Sequence, residues 1–140
     1  MNPVGQVDGC LIVTSEGVVV LDALDSENAG KAERQAIANT IRQPVRFLVS
    51  STFHNNYSKG NVAYADVWKI GHENYRTDLL QLMQREQVPA EQQKARLPNE
   101  TYRDRVTLYL GARRFRFAIW AAGTREGTAS YMFPKIVLPI

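Results

Sequence analysis

Short runs of β-branched and aliphatic residues alternate along this chain with longer segments of helical pattern, and that order leaves few architectures open. Cys10-Leu11-Ile12-Val13-Thr14 and Val18-Val19-Val20-Leu21-Asp22 flank Ser15-Glu16-Gly17, which predicts a β-hairpin with Gly17 free to take positive φ. Ala29 to Arg42 is rich in Ala, Lys, Glu, Gln and Arg. Its apolar positions Ala32, Ala36, Ile37 and Ile41 follow helical spacing, and Pro44 stands just past its end. Val45 to Ser50 is a third strand, and the polar residues from Ser51 to Gly60 form a loop.

Downstream, a helix opens over Asn61 to Tyr64, and Val67-Trp68-Lys69-Ile70 is a short strand. Glu73 to Gln87 is an amphipathic helix with Leu79, Leu80, Leu82 and Met83 as core candidates. Pro89 to Pro98 is polar. Val106 to Leu110 and Arg114 to Trp120 are strands joined around Gly111-Ala112. A turn over Ala122 to Thr128 and an extended apolar segment from Tyr131 to Ile140 complete the order β-β-α-β-α-β-α-β-β-β. The expectation is a single α/β (α+β mixed) domain over residues 1–140, with a mixed sheet and helices on one face. The other face then needs a partner layer, and few elements remain to supply one.

Composition agrees with a globular chain: 44% of residues are hydrophobic and 22% charged. The net charge of +3 and pI of about 9.2 give only slight reason to expect a nucleic-acid partner. Arg113, Arg114 and Arg116 alternate with aromatics in the run Arg113-Arg114-Phe115-Arg116-Phe117, at strand period. One reading is a solvated strand face. The other is an anion-binding face that would take phosphate. The lone Cys10 excludes an intrachain disulfide and, within an apolar run, is expected to be a buried small hydrophobe. No secretory signal pattern is visible and no apolar stretch approaches the ~20 residues of a membrane span, so a cytoplasmic location is expected.

Three segments resemble the metallo-β-lactamase superfamily. Asp8-Gly9 through Asp22 is similar to that family's first hairpin, which ends in a characteristic Asp. Pro44 to Thr52, followed by Phe53-His54-Asn55-Asn56-Tyr57-Ser58-Lys59-Gly60-Asn61, resembles the strand that runs into the family's T-H-x-H-x-D-H-x-x-G-N loop. Ile70-Gly71-His72-Glu73-Asn74 resembles the strand end leading into the next helix. The resemblance implies half of an αββα sandwich.

The ligand positions implied by this resemblance are mostly replaced. With the loop anchored on Gly60-Asn61, the first metal-ligand His falls on Thr52 and the second on His54. The Asp falls on Asn56 and the third His on Tyr57. A later family His falls on Thr124 and an Asp on Thr128, while the remaining ligand positions lie beyond Ile140. Only His54 matches. A catalytic zinc needs about three protein ligands of imidazole, thiolate or carboxylate type. No metal and no other cofactor is therefore expected, and no catalytic residue is assigned; zinc enters only if a rebuilt site makes the chain a metal-dependent hydrolase. His72 is expected to make a local hydrogen bond.

His54, Asn56, Tyr57, Ser58 and Lys59 remain as a possible ligand-binding loop, and Ser58 beside a Lys or His base is a conceivable nucleophile. The resemblance implies a truncated domain with one open sheet face, or a fragment of a longer product. Two copies packing those faces as a homodimer would cover it. The leading expectation is thus a non-catalytic, dimeric protein with a binding or regulatory role; whether it takes a small-molecule ligand is left open by the sequence. A zinc hydrolase and a weak nucleic-acid binder are the alternatives.

Overall fold

The computed structural model describes residues 9–118, with side chains through Ala112. Strands β1 (Cys10–Val13) and β2 (Val18–Leu21) form the expected hairpin, with Ile12 opposite Val19. Thr14 closes the turn. Its hydroxyl donates to the Gly17 carbonyl at 2.8 Å and accepts the Gly17 and Glu16 amides at 3.1 and 3.2 Å. Gly17 is not at positive φ, against expectation. It is required for space: a Cβ there would stand 2.2 Å from Cγ of Arg46.

Helix α1 (Glu27–Thr40) starts two residues before the predicted Ala29, because Ser26 caps it by accepting the Ala29 amide at 3.2 Å. Strand β3 (Val45–Val49) follows. The segment expected as plain loop contains a one-turn helix α2 (Asn55–Ser58), which continues into a 3-10 helix (Lys59–Tyr64). Strand β4 (Trp68–His72) leads directly into α3 (Glu73–Arg85). The polar stretch after it holds α4 (Ala90–Arg96) and a three-residue strand β5 (Glu100–Tyr102). β6 (Arg105–Leu110) and β7 (Arg113–Ala118) form an antiparallel ribbon about Gly111, at φ 63°. The turn expected at 122–128 and the extended segment 131–140 lie outside the described residues.

The main sheet has the order β1-β2-β3-β4-β5, antiparallel at β1/β2 and parallel thereafter. Each parallel step moves one strand in the same direction, and right-handed crossovers place every connecting helix on one face. This is the expected mixed sheet with helices on one side. On that side Val18, Val20, Ala23, Ile37, Leu48, Tyr64 and Val67 form one buried cluster. Of the α1 positions expected inside, Ile37 is buried and Ile41 half-buried, but Ala32 and Ala36 are exposed. Tyr75, Leu79 and Met83, four residues apart along α3, make a second cluster.

The opposite face is not bare. Ile12, Val19, Leu21, Val49 and Ile70 are covered by Leu108 and Leu110 of β6, with Phe47, Tyr102 and Val106 half-buried beside them. Val18, Val19 and Val20 are each 0% exposed, which explains a strand that is apolar on both sides. Cys10 is exposed, contrary to expectation: it opens β1, which among the described residues is an edge strand paired with β2 alone. Among the described residues, no helix is long and apolar enough to cross a membrane.

Candidate functional site

The candidate site lies where β2, β3 and β4 deliver their C-terminal ends. Asp22 follows β2 directly, in the left-handed region at φ 61°. Its Oδ1 accepts the Ser51 amide at 2.7 Å, and its Oδ2 accepts the Ser51 hydroxyl. The ladder also continues here, since the Asp22 amide donates to the Val49 carbonyl at 3.0 Å. Burial pushes the Asp22 carboxyl up to about 6, against the opposing pull of the Ser51 bonds.

Loop 51–61 then folds tightly. The Tyr57 and Ser58 amides donate to the His54 carbonyl at 2.9 and 3.1 Å, which starts α2. The Tyr57 carbonyl accepts the Ala23 amide at 3.2 Å. Gly60 is required by a close approach: a Cβ there would lie 1.5 Å from the Ala23 carbonyl oxygen. Asn61 is fully buried, and its Nδ2 donates to the Tyr75 hydroxyl and to the Arg96 carbonyl, both at 3.0 Å. Burial in turn raises the Tyr75 hydroxyl to about 12. These contacts fix the Gly60-Asn61 end of the loop against Ala23, Tyr75 and Arg96.

The residues at the implied ligand positions meet different fates. Thr52 is half-buried, and its hydroxyl accepts the His54 amide at a long 3.4 Å. The His54 side chain is exposed and stacks on Phe53, with ring centroids 4.8 Å apart. Asn56 and Lys59 are exposed and Tyr57 is half-buried. Ser58 points inward instead. Its hydroxyl donates to the Phe53 carbonyl at 3.1 Å and accepts from Arg96 Nη2 at 3.0 Å, so it is offered neither to a ligand nor to a base.

His72 is a helix cap. Its Nδ1 accepts the Asn74 amide at 3.0 Å, and its Nε2 lies 2.6 Å from the Arg103 carbonyl. The two contacts require a neutral ring protonated on Nε2. A shallow cleft beside it is lined by Thr52, Phe53, Asn74 and Asp78, among others.

Among the described residues, no group of three His, Cys, Asp or Glu side chains is placed to hold a metal ion. The four implied ligand positions in the loop offer one imidazole, a hydroxyl, a carboxamide and a phenol, and Asp22 is turned toward Ser51. This donor set does not fit zinc. Thr124 and the side chains of Arg113, Arg114 and Arg116 lie outside the described residues. The residue that sequence reasoning missed is Arg96, buried at 4% exposure behind the loop. It sits in a polar stretch with no motif to mark it.

No protein-family model matches this chain, and no curated protein is detectably similar to it in sequence. Solved structures are similar in fold. A metallo-β-lactamase from Pontibacter korlensis superposes with a TM-score of 0.63 at 18% identity, over 79% of this chain and 47% of that one. The metallo-β-lactamase FIM-1 from Pseudomonas aeruginosa, in its mono-zinc form, gives 0.54 at 11% identity, over 69% of this chain and 38% of that one. The chain spans less than half the length of each of these two structures.

Proposed function

From the premise of a metallo-β-lactamase-like fold, we propose that this chain is non-catalytic and uses loop 51–61 as a binding or regulatory surface. One observation carries the reading. Of the four implied ligand positions in the loop, only His54 bears an imidazole, and that ring lies exposed against Phe53. Without a bound metal, nothing there lowers the pKa of a water into the neutral range, so no hydroxide nucleophile forms. What the loop presents outward is His54, Asn56 and Lys59, with Tyr57 half-buried between them. These groups donate and accept hydrogen bonds and suit a polar small molecule. A cytoplasmic setting belongs to the same reading.

Metal analysis of protein purified without a chelating tag tests it. The expected result is zinc far below one equivalent. Stoichiometric zinc that is lost in His54→Ala would overturn the proposal in favour of a rebuilt hydrolase site.

The proposal includes a homodimer. Phe47, Tyr102 and Val106 are only half-buried on the face that β6 covers in part. Tyr109 of β6, at 72% exposed, is a large apolar side chain in solvent. Sedimentation at low micromolar concentration is expected to give a dimer mass. A stable monomer there rejects this part of the proposal.

A further inference from the structure

The loop has a cation of its own. Arg96 enters from the C-terminal end of α4, and its Nη2 donates to Asn55 Oδ1 at 3.2 Å and to Ser58 Oγ at 3.0 Å. Asn55 and Ser58 are the first and last residues of α2, so one amino group grips both ends of a single helical turn. A four-residue helix does not sustain itself, because nucleation costs more than so few hydrogen bonds return. Each grip is passed on. Ser58 donates to the Phe53 carbonyl at 3.1 Å, and Asn55 Nδ2 donates to Glu86 Oε1 at 2.9 Å. The Arg96 carbonyl holds the other end of the loop by accepting from Asn61 at 3.0 Å.

This arrangement is costly as pure packing. The two Nη2 acceptors are neutral, and Arg96 Nε is buried without an acceptor among the described atoms. Burial also pushes the Arg96 pKa below its usual value. A buried cation that touches no carboxylate through this group is retained at a penalty, which ordering the loop offsets.

We propose that Arg96 is the positioning residue of loop 51–61, and that its guanidinium fixes α2, and with it Asn56 and Tyr57, in the shape that presents them, with no metal required. This rests on the reading that the loop takes no zinc.

Amide exchange measured by NMR on the whole chain tests it. The Tyr57, Ser58 and Gly60 amides report on the loop through their bonds to the His54 and Leu24 carbonyls. Amides of β2 and β3 are the internal reference. In Arg96→Met, the three loop amides should exchange on the order of tenfold faster relative to the sheet. Arg96→Lys should fall between wild type and Arg96→Met. Asn55→Ala, which leaves α4 intact, should give the same pattern more weakly, and it decides the matter if Arg96→Met does not fold. Unchanged loop-to-sheet ratios in the folded variants would overturn the role of Arg96. Chelator added to wild-type protein should change nothing. If it alone loosens the loop, the metal-free reading fails, and the variants still report on Arg96 separately.

Discussion

The Asp22 carboxylate accepts both the backbone amide and the hydroxyl of Ser51, and so joins the end of β2 to the first residue of the candidate loop. The bond is made by a buried acid whose pKa is raised to about 6. The folded state therefore holds this proton more tightly than the unfolded chain, where the carboxyl titrates near 3.8. Stability from this group is fully present below the unfolded value and is lost as pH rises through about 6.

Unfolding free energies from urea titrations at pH 4 and pH 7 should accordingly fall as pH rises, by about 2 kcal/mol for Asp22. Glu33, also raised by burial, acts with the same sign. Asp22→Asn should flatten most of the slope without abolishing it. An unchanged slope in that variant would remove Asp22 from the explanation.

Gly60→Ala is expected to destabilise the chain by about 3 kcal/mol, since the new methyl would meet the Ala23 carbonyl carried on β2's exit. Thermal unfolding reads this directly. A loss below about 0.5 kcal/mol would mean that the loop can move away from Ala23.

His72→Ala should cost about 1 kcal/mol by removing the α3 cap, and His72→Asn should recover part of it, because Asn also accepts at an N-cap. Neither variant should change the metal content, which stays far below one equivalent of zinc. A change in metal content would make His72 a ligand instead of a cap.

Cys10 should react with a disulfide reagent in the native protein at nearly the rate of a free thiol, because it is exposed. Protection until unfolding would restore the buried position expected from its apolar neighbours.

That error about Cys10 shows where sequence patterns reach and where they stop. The hairpin, α1, β3 and α3 are legible because their apolar residues recur at strand or helix period around a face that is buried. Cys10 shares the run but not the burial, since edge position is a property of the sheet. α4 and β5 are silent because they are polar. Arg96 is buried by hydrogen bonds to side chains about 40 residues away, and β5 is docked in part by Asn99 Oδ1 accepting the Lys69 amide at 2.9 Å. Lys69 is likewise 2% exposed within a strand, and its amine donates to the Tyr64 and Val67 carbonyls at 3.3 and 3.2 Å. In the loop, the residue types at the ligand positions that the resemblance implies are readable from the sequence. That Ser58 turns inward while His54 stacks outward is decided by contacts no local pattern encodes.

The proposed function and the proposed role of Arg96 both rest on loop 51–61 holding its shape through protein groups, without zinc. Calorimetric titration of zinc into metal-free protein tests it most directly. No one-to-one site tighter than micromolar is expected in wild-type protein, and the same isotherm is expected in His54→Ala. A one-to-one, submicromolar zinc site in wild type that disappears in His54→Ala would contradict it.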